Sequence, residues 1–343
     1  MPCYSKMALF KAVYEPLGKR VMKLIISNVF PYIGNKGCIA DIIEEMTPSH
    51  KIYIEACCGS AEIFFRKKPA QKEIINDYDS RIANFFRVLQ CNEKLPYLLG
   101  RVFLTGNCEE MFKQNRILMR STPNVLDDIR ETAEFIQALP EEEIEQAVAF
   151  FTNQVNSFSS TGSSYAIRGV NIVPRLHRLV AAKIRLDSAA VLNRDYRDVI
   201  TCFAKEDTFV FIDPPYKDTE TMYENTNFDE NSHAELFAFA YSIHQKHEGR
   251  CNIMITYNSH PFILSLAKQY GFFVLIKPRP HSMKNPTNPG EDFDEAIITN
   301  YDPRPVMEIN AQKYMQLTLF DVYGDYDYNE RLLNERKITI CKP

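Results

Sequence analysis

The sequence contains no run of roughly eighteen apolar residues, the length a membrane-spanning helix requires, so no membrane partner is expected. Residues Met1 to Lys23 lack the apolar stretch and small-residue cleavage site of a secretory signal. None of the nine cysteines forms a Cys-x-x-Cys, and scattered thiols of this kind suit a reducing, cytoplasmic setting. No Gly-x-Gly-x-x-Gly opens a helix, which argues against a dinucleotide oxidoreductase, and there is no Gly-Lys-Ser/Thr phosphate loop. His244 and His247 stand three apart with no third ligand in view, so no metal is expected. A strong charge of one sign is lacking too: a net charge of −4 argues against indiscriminate nucleic-acid binding.

What is present is ordinary for a globular chain: 343 residues, 45% hydrophobic and 24% charged, enough for one large domain and a smaller one. The charge is unevenly spread. Residues 161 to 205 carry eight Lys/Arg, among them Arg168, Arg175, Arg178 and Lys183, against three acids. Residues 125 to 150 run the other way, with Asp127, Asp128 and Glu141 to Glu143 among many acids. A basic strip beside an acidic flank fits a phosphate-tracking face and its solvent side, although a solvated helix face of mixed charge would look the same.

Apolar, β-prone runs at 51–55, 73–76, 208–212, 252–257, 272–277 and 295–301 alternate with helical patterns such as 81–89 and 234–247. That alternation predicts the α/β class, with a mostly parallel twisted sheet covered by helices on both faces. The expected organisation is an N-terminal extension at 1–27, a catalytic domain split between 28–95 and 186–304, a mainly helical insert at 96–185, and a tail at 305–343.

The most informative residues are Asp213-Pro214-Pro215-Tyr216, which follow the apolar run Thr208 to Ile212. They place a carboxylate at the carboxyl end of a buried strand, where open α/β sheets build their sites. Two consecutive prolines have no N–H to donate, so the chain must leave the sheet there. This suits methylation of the exocyclic amine of a flipped adenine, whose lone pair is delocalised into the ring. Asp213 and the Pro214 carbonyl can accept its two N–H bonds and localise that pair, while Tyr216 stacks on the base. On these four residues alone, a proline-rich turn with Asp213 as a cap is an equal reading. Upstream, the strand ending at Glu55 runs into Ala56-Cys57-Cys58-Gly59-Ser60-Ala61, small residues that let a backbone approach a ligand. Asp77 then ends a second strand, a placement that suits ribose hydroxyls of a dinucleotide or of S-adenosylmethionine.

In order along the chain, Pro31-Tyr32-x-Gly34-x-Lys36, Glu55-x-x-x-Gly59-Ser60, Asn76-Asp77-x-Asp79, a long insert and Asp213-Pro214-Pro215-Tyr216 resemble the Dam-type adenine-N6 DNA methyltransferases. The resemblance covers about residues 28 to 304, with Asn193 to Tyr196, Ile255 to His260 and Phe293 to Tyr301 as further matches. It implies S-adenosylmethionine as cofactor, double-stranded DNA as substrate, and direct methyl transfer without a metal. It implies roles as well: Asp213 and Pro214 orient the amine, Pro215 completes the tetrapeptide, and Tyr216 stacks on adenine. Tyr32 and Lys36 line the methionine end of the cofactor, Glu55 and Gly59 floor its pocket with Asp213 at the border, and Asp77 holds the ribose. Asp195 and Tyr196 meet the cofactor adenine. The insert would be the target-recognition domain. Its Ser/Gly-rich loop, Ser157 to Tyr165, would bring Ser159 and Ser160 to phosphates and base edges, followed by Arg168. A second loop at 281–290 would make Lys284, with Arg279, a phosphate contact.

Two departures stand out. The family's cofactor loop usually reads Glu-Pro-Phe-x-Gly-x-Gly, and here Ala56 and Ala61 replace the proline and the last glycine. Alanine is strained if that position needs a positive φ and harmless in the right-handed region. An adenine-N6 methyltransferase of ribosomal RNA shares the tetrapeptide and is the nearest rival; a catalytically silent DNA-binding protein is disfavoured by the intact Asp-Pro-Pro-Tyr. In the tail, Gln316 to Phe320 resembles the peptide by which bacterial DNA-processing proteins dock on the replicative sliding clamp. An amphipathic tail packing on its own domain is the competing expectation.

Overall fold

Short apolar runs form strands and longer periodic patterns form helices in the computed structural model of the protein, which describes residues 29–127, 141–158, 162–166, 171–223, 228–278, 294–318 and 339–341. In chain order its first half contains α1 (Ala40–Met46), β1 (Ile52–Glu55), α2 (Glu62–Arg66), β2 (Lys72–Asn76), α3 (Ser80–Gln90), α4 (Leu95–Leu104), α5 (Glu109–Ser121) and α6 (Glu141–Asn156). Then come α7 (Val173–Leu186), β3 (Ala189–Leu192), α8 (Tyr196–Phe203), β4 (Thr208–Ile212) and α9 (Glu230–Lys246). The chain continues with β5 (Cys251–Asn258), α10 (Pro261–Gln269), β6 (Phe273–Lys277), β7 (Glu295–Thr299), α11 (Pro303–Thr318) and β8 (Thr339–Cys341). The chain divides into two compact units: one of residues up to Gly37, Cys58–Pro69 and Glu73–Asp198, the other of Cys38–Cys57, Ala70–Lys72 and the residues from Val199 onward.

In the first unit β2 and β3 run parallel, with Glu73 opposite Ala189 and Asn76 opposite Leu192. Helix α3 begins where the Asp79 carboxylate accepts the Arg81 N–H, satisfying a donor that has no partner within the helix. Its inner face carries Phe85 and Phe86, both fully buried. Phe85 stacks on Phe151 of α6 at 5.6 Å and 4°. Phe30 meets Phe85 and Phe150 edge-on at 5.2 and 5.1 Å. Each such ring contributes about 1.5–3 kcal/mol by burial. Polar bonds follow the same seam: Asn84 donates to the Glu143 carbonyl, and Gln90 to those of Leu186 and Ala189. The described residues of the segment 96–185 are mainly helical, and its α6 shares one apolar core with α3. The compact unit therefore joins this segment to the loop after β1 and to β2, instead of cutting it off at residues 95 and 185.

A buried ion cluster lies beside that core. The Glu73 carboxylate, 3% exposed, takes the Lys67 ammonium at 2.5 Å and the Arg185 guanidinium at 2.8 Å. Arg185 also donates to the Phe64 carbonyl and lies 3.9 Å over the Phe64 ring. Two cations on one carboxylate, with further hydrogen bonding, offset the large cost of taking charge out of water.

In the second unit the strand order is β1-β4-β5-β7-β6-β8. β1, β4 and β5 are parallel, and every residue of β4 is buried. β7 enters antiparallel between β5 and β6, and β8 pairs antiparallel with β6. The expected mostly parallel sheet is thus mixed. The tail is not separate from this unit either: Val274 of β6 stands opposite Cys341 of β8, and Asn310 of α11 donates to the Glu45 and Thr47 carbonyls. Gln316, Leu317 and Thr318 belong to helix α11 and so are not the extended peptide expected of a clamp-docking motif, while Leu319 and Phe320 lie outside the described residues. Among the described residues, no helix is long and apolar enough to cross a membrane, and no three His, Cys, Asp or Glu are grouped to hold a metal ion.

Candidate active site

In the first unit, three of the residues expected to hold a cofactor come together. Gly59 adopts a φ of +48, and a Cβ built on it would stand 2.9 Å from Cδ1 of Tyr32, so both conformation and space demand glycine. Its N–H donates to the Asp77 carboxylate at 2.8 Å, and the Asp79 N–H donates to the other oxygen at 2.9 Å. Burial pushes the Asp77 carboxyl up to about 7, against the pull of those two donors. Lys36 is 4% exposed and donates to the Gly34 carbonyl.

Around this group stand several residues, Asn35, Asn76 and Asn193 among them, to which the sequence assigned no role. Asn35 donates to Glu62 at 2.9 Å and to Ser60 at 3.3 Å, and its oxygen accepts the Gly37 N–H. Asn193 donates to the carbonyls of Asp77 and Tyr78 at 2.8 and 3.2 Å and accepts from the Ser80 hydroxyl, holding the turn that carries Asp77. Asn76 and Arg194 exchange side-chain and backbone bonds at 3.0 and 2.9 Å. The asparagine at 193 was visible in the Asn-Arg-Asp-Tyr match, but nothing in the spacing marked it as the brace of Asp77. Asp195 takes the Arg197 N–H and its guanidinium at 2.8 to 2.9 Å, and that guanidinium lies 5.6 Å from the Tyr196 ring.

Ala61 adopts the strained of the two conformations open to it. Its φ of 54 and ψ of 38 are left-handed, at the N-cap of α2, and the side chain is fully buried. Alanine there costs about 1–2 kcal/mol relative to a permissive residue. Replacement by glycine relieves that strain, partly offset by roughly 0.5–1 kcal/mol of lost backbone restriction in the unfolded chain. Ala61→Gly is therefore expected to raise stability by up to about 1 kcal/mol in urea unfolding; a clear loss would show that the Ala61 methyl packs too well for the strain to matter.

In the second unit, Asp213 leaves the end of β4 half-buried and accepts the Thr256 hydroxyl at 2.7 Å. Pro214 and Pro215 are buried beside it. Tyr216 is 7% exposed, its hydroxyl donating to Glu295 at 2.7 Å and its ring 5.7 Å from that of Tyr257. Burial first, then the Asp213 and Glu295 charges, hold the Tyr216 phenol well above its ordinary range, so it stays a neutral donor. Glu55, 2% exposed at the end of β1, accepts the Tyr53 hydroxyl at 2.7 Å. Thr256 and Glu295 lay within the matched segments without being given a role.

The basic strip is only partly available to a partner. Arg175 and Arg178 are half-buried on α7. Lys183 is a correction: it is 5% exposed and its ammonium is paired with Asp187 one turn later, so it presents no charge to an outside phosphate. Arg185 in the same strip serves the buried cluster with Glu73. Ser159, Ser160, Arg168, Arg279 and Lys284 lie outside the described residues.

Residues 32–278 match the sequence profile of the D12 class N6 adenine-specific DNA methyltransferases. The chain belongs to that family. The match begins at Tyr32 and takes in Lys36, Glu55, Gly59, Asp77 and Asp213 to Tyr216, and it contains the whole helical segment 96–185. Glu295, which holds the Tyr216 hydroxyl, lies beyond it. The chain is also similar to the type II methyltransferase M1.LlaDCHI of Lactococcus lactis subsp. cremoris, at 22% identity over 280 residues, 79% of this chain and 94% of that protein.

Proposed function

We propose that the protein transfers a methyl group from S-adenosylmethionine to N6 of a flipped adenine in duplex DNA. The observation that carries this reading is a carboxylate, Asp213, held by Thr256 at the carboxyl end of a fully buried strand and followed by two prolines. An acceptor so placed, together with the Pro214 carbonyl, suits the two N–H groups of an exocyclic amine and draws its lone pair out of the ring. Bound S-adenosylmethionine would supply an electrophilic methyl on a sulfonium, the electron pair of the broken carbon–sulfur bond staying on the departing thioether and the proton lost by N6 passing to solvent. Tyr216 is the aromatic partner for the flipped base in this reading.

The chain's residues suit that cofactor. Gly59 leaves bare backbone beside the Tyr32 ring, and Asp77 offers carboxylate oxygens for ribose hydroxyls. Lys36, Glu55, Asp195 and Tyr196 complete the proposed set. Arg175 and Arg178 are the described candidates for the DNA backbone, and the segment 96–185 for target recognition. Since the similar Lactococcus protein is named a type II methyltransferase, we extend to this chain the role of modification enzyme beside a restriction nuclease. Docking of Gln316 to Phe320 on a sliding clamp gains no support.

Asp213→Ala is expected to lower methyl transfer to duplex DNA by about 10²–10⁴-fold, with S-adenosylmethionine binding changed little by comparison. Near-normal turnover by the variant, measured with labelled cofactor, would remove Asp213 from the chemistry. Activity confined to deproteinised ribosomal RNA would transfer the reading to the RNA enzyme.

The raised Asp77 carboxyl makes a second expectation with a definite sign. Ribose hydroxyls donate best to the ionised form, so cofactor binding competes with a proton whose pKa is about 7. Affinity should strengthen by up to roughly tenfold per pH unit on rising toward pH 7 and level off above it. Asp77→Asn should bind more weakly and without that slope. Calorimetric titration between about pH 6 and pH 8 checks this; an affinity that is flat, or falls with rising pH, would exclude Asp77 as the ribose carboxylate.

A further inference from the structure

The chain leaving Tyr216 runs over the surface through a short 3-10 turn, Glu220–Met222. Three consecutive residues of β5 touch this loop or the tetrapeptide before it. The Thr256 hydroxyl donates to Asp213 at 2.7 Å, the Tyr257 ring lies 5.7 Å from that of Tyr216, and the Asn258 carboxamide donates to the Lys217 carbonyl at 2.9 Å. Beneath them the Tyr257 hydroxyl meets Nδ1 of His233 at 2.8 Å, and Nε2 of the same imidazole meets Glu220 at 2.9 Å. His233 and Tyr257 are wholly buried, whereas the Glu220 side chain retains 19% exposure. The contacts thus close a ring, from Glu220 on the loop through His233 on α9 and Tyr257 on β5 to Tyr216 in the tetrapeptide.

The ring has a defined polarity. A carboxylate only accepts, so Nε2 carries the imidazole proton toward Glu220 and Nδ1 accepts from the Tyr257 hydroxyl. Burial lowers the His233 pKa, in keeping with the neutral form. The imidazole is well seated: an Asp229–Ser232 capping box sets the first turn of α9, and the Phe228 ring meets His233 edge-on at 4.9 Å. A buried polar relay of this kind adds little net stability over apolar packing, but it fixes direction, since each donor needs its one acceptor.

We propose that Glu220 and His233 are positioning residues, a latch that ties the loop after the tetrapeptide to the core and, through Tyr257, sets the placement of Tyr216 and Asp213 for the amine. This deepens the proposed methyl transfer and rests on it. Neither residue touches the base; they act by holding the groups that do.

The test uses the full chain and Glu220, which lies near the surface, because loss of the buried His233 can unfold the protein. Glu220→Ala is expected to lower kcat by about 10- to 100-fold, the effect of a misplacement near 1 Å, with KM for DNA and cofactor within about threefold of wild type. In the ligand-free variant, amide hydrogen exchange across residues 217–223 should accelerate while the melting temperature changes little. Glu220→Gln, whose amide oxygen still accepts from His233, should recover most of both kcat and protection. Unchanged kcat and exchange in Glu220→Ala, a loss confined to KM, or a Gln variant no better than Ala would each overturn the latch. Should the wild-type chain methylate no DNA, the functional reading fails, and the exchange measurement still decides whether Glu220 holds the loop.

Discussion

A fully buried strand that ends in two prolines is the constraint around which the second unit is arranged. β4 pairs with β1 on one side and β5 on the other, and all five of its residues are buried, so its backbone needs both neighbours. At Pro214 and Pro215 there is no N–H left to pair, and the ladder stops. The chain therefore emerges at the strand end with Asp213 held half-buried and Tyr216 folded inward. β5, longer than β4 at this end, supplies what the loop needs: Thr256 for Asp213, Tyr257 for Tyr216 and Asn258 for Lys217. Glu295 at the start of β7 closes the set by taking the Tyr216 hydroxyl.

The first unit solves a different problem, which is to hold backbone open beside a carboxylate. Gly59 is confined to glycine twice over, by its φ and by the Tyr32 ring. Its N–H and that of Asp79 both point at Asp77, while Asn193 braces the turn from behind. Burial that raises the Asp77 carboxyl to about 7 and donors that lower it are set against each other, a balance expected where a group must change partners on binding a ligand. The aromatic cluster of Phe30, Phe85, Phe150 and Phe151 forms the core of this unit.

How far these features could be read from the sequence depends on how local their causes are. Strands β1, β2, β4, β5, β6 and β7 announce themselves as apolar runs, and Asp213, Gly59 and Asp77 stand at their ends by simple spacing. β3 opens on two alanines and so shows no distinct β-prone run, while β8, at three residues, is too short for a period to show and pairs with the edge of β6. The boundary expected at residue 95 does not coincide with the edge of a compact unit: Phe85 finds its ring partners Phe150 and Phe151 on α6, some sixty residues on, which no local pattern records. Lys183 looked like any other cation of the strip; the Asp187 four residues later was a visible signal that it folds back. Whether Ala61 was strained turned on a φ that only the loop after β1 determines. The relay from Glu220 to His233 to Tyr257 joins three elements, and its residue types at those spacings carry no motif.

The central claim is that the strand-end group in this D12 family member methylates adenine N6 in DNA. The most direct measurement is single-molecule sequencing of genomic DNA from a methylation-free bacterial host expressing the chain, read for modified bases. The account predicts N6-methyladenine at one recurring sequence context in cells with the intact chain and its absence in cells with Asp213→Ala. DNA without N6-methyladenine, or the same modification with both proteins, would contradict it.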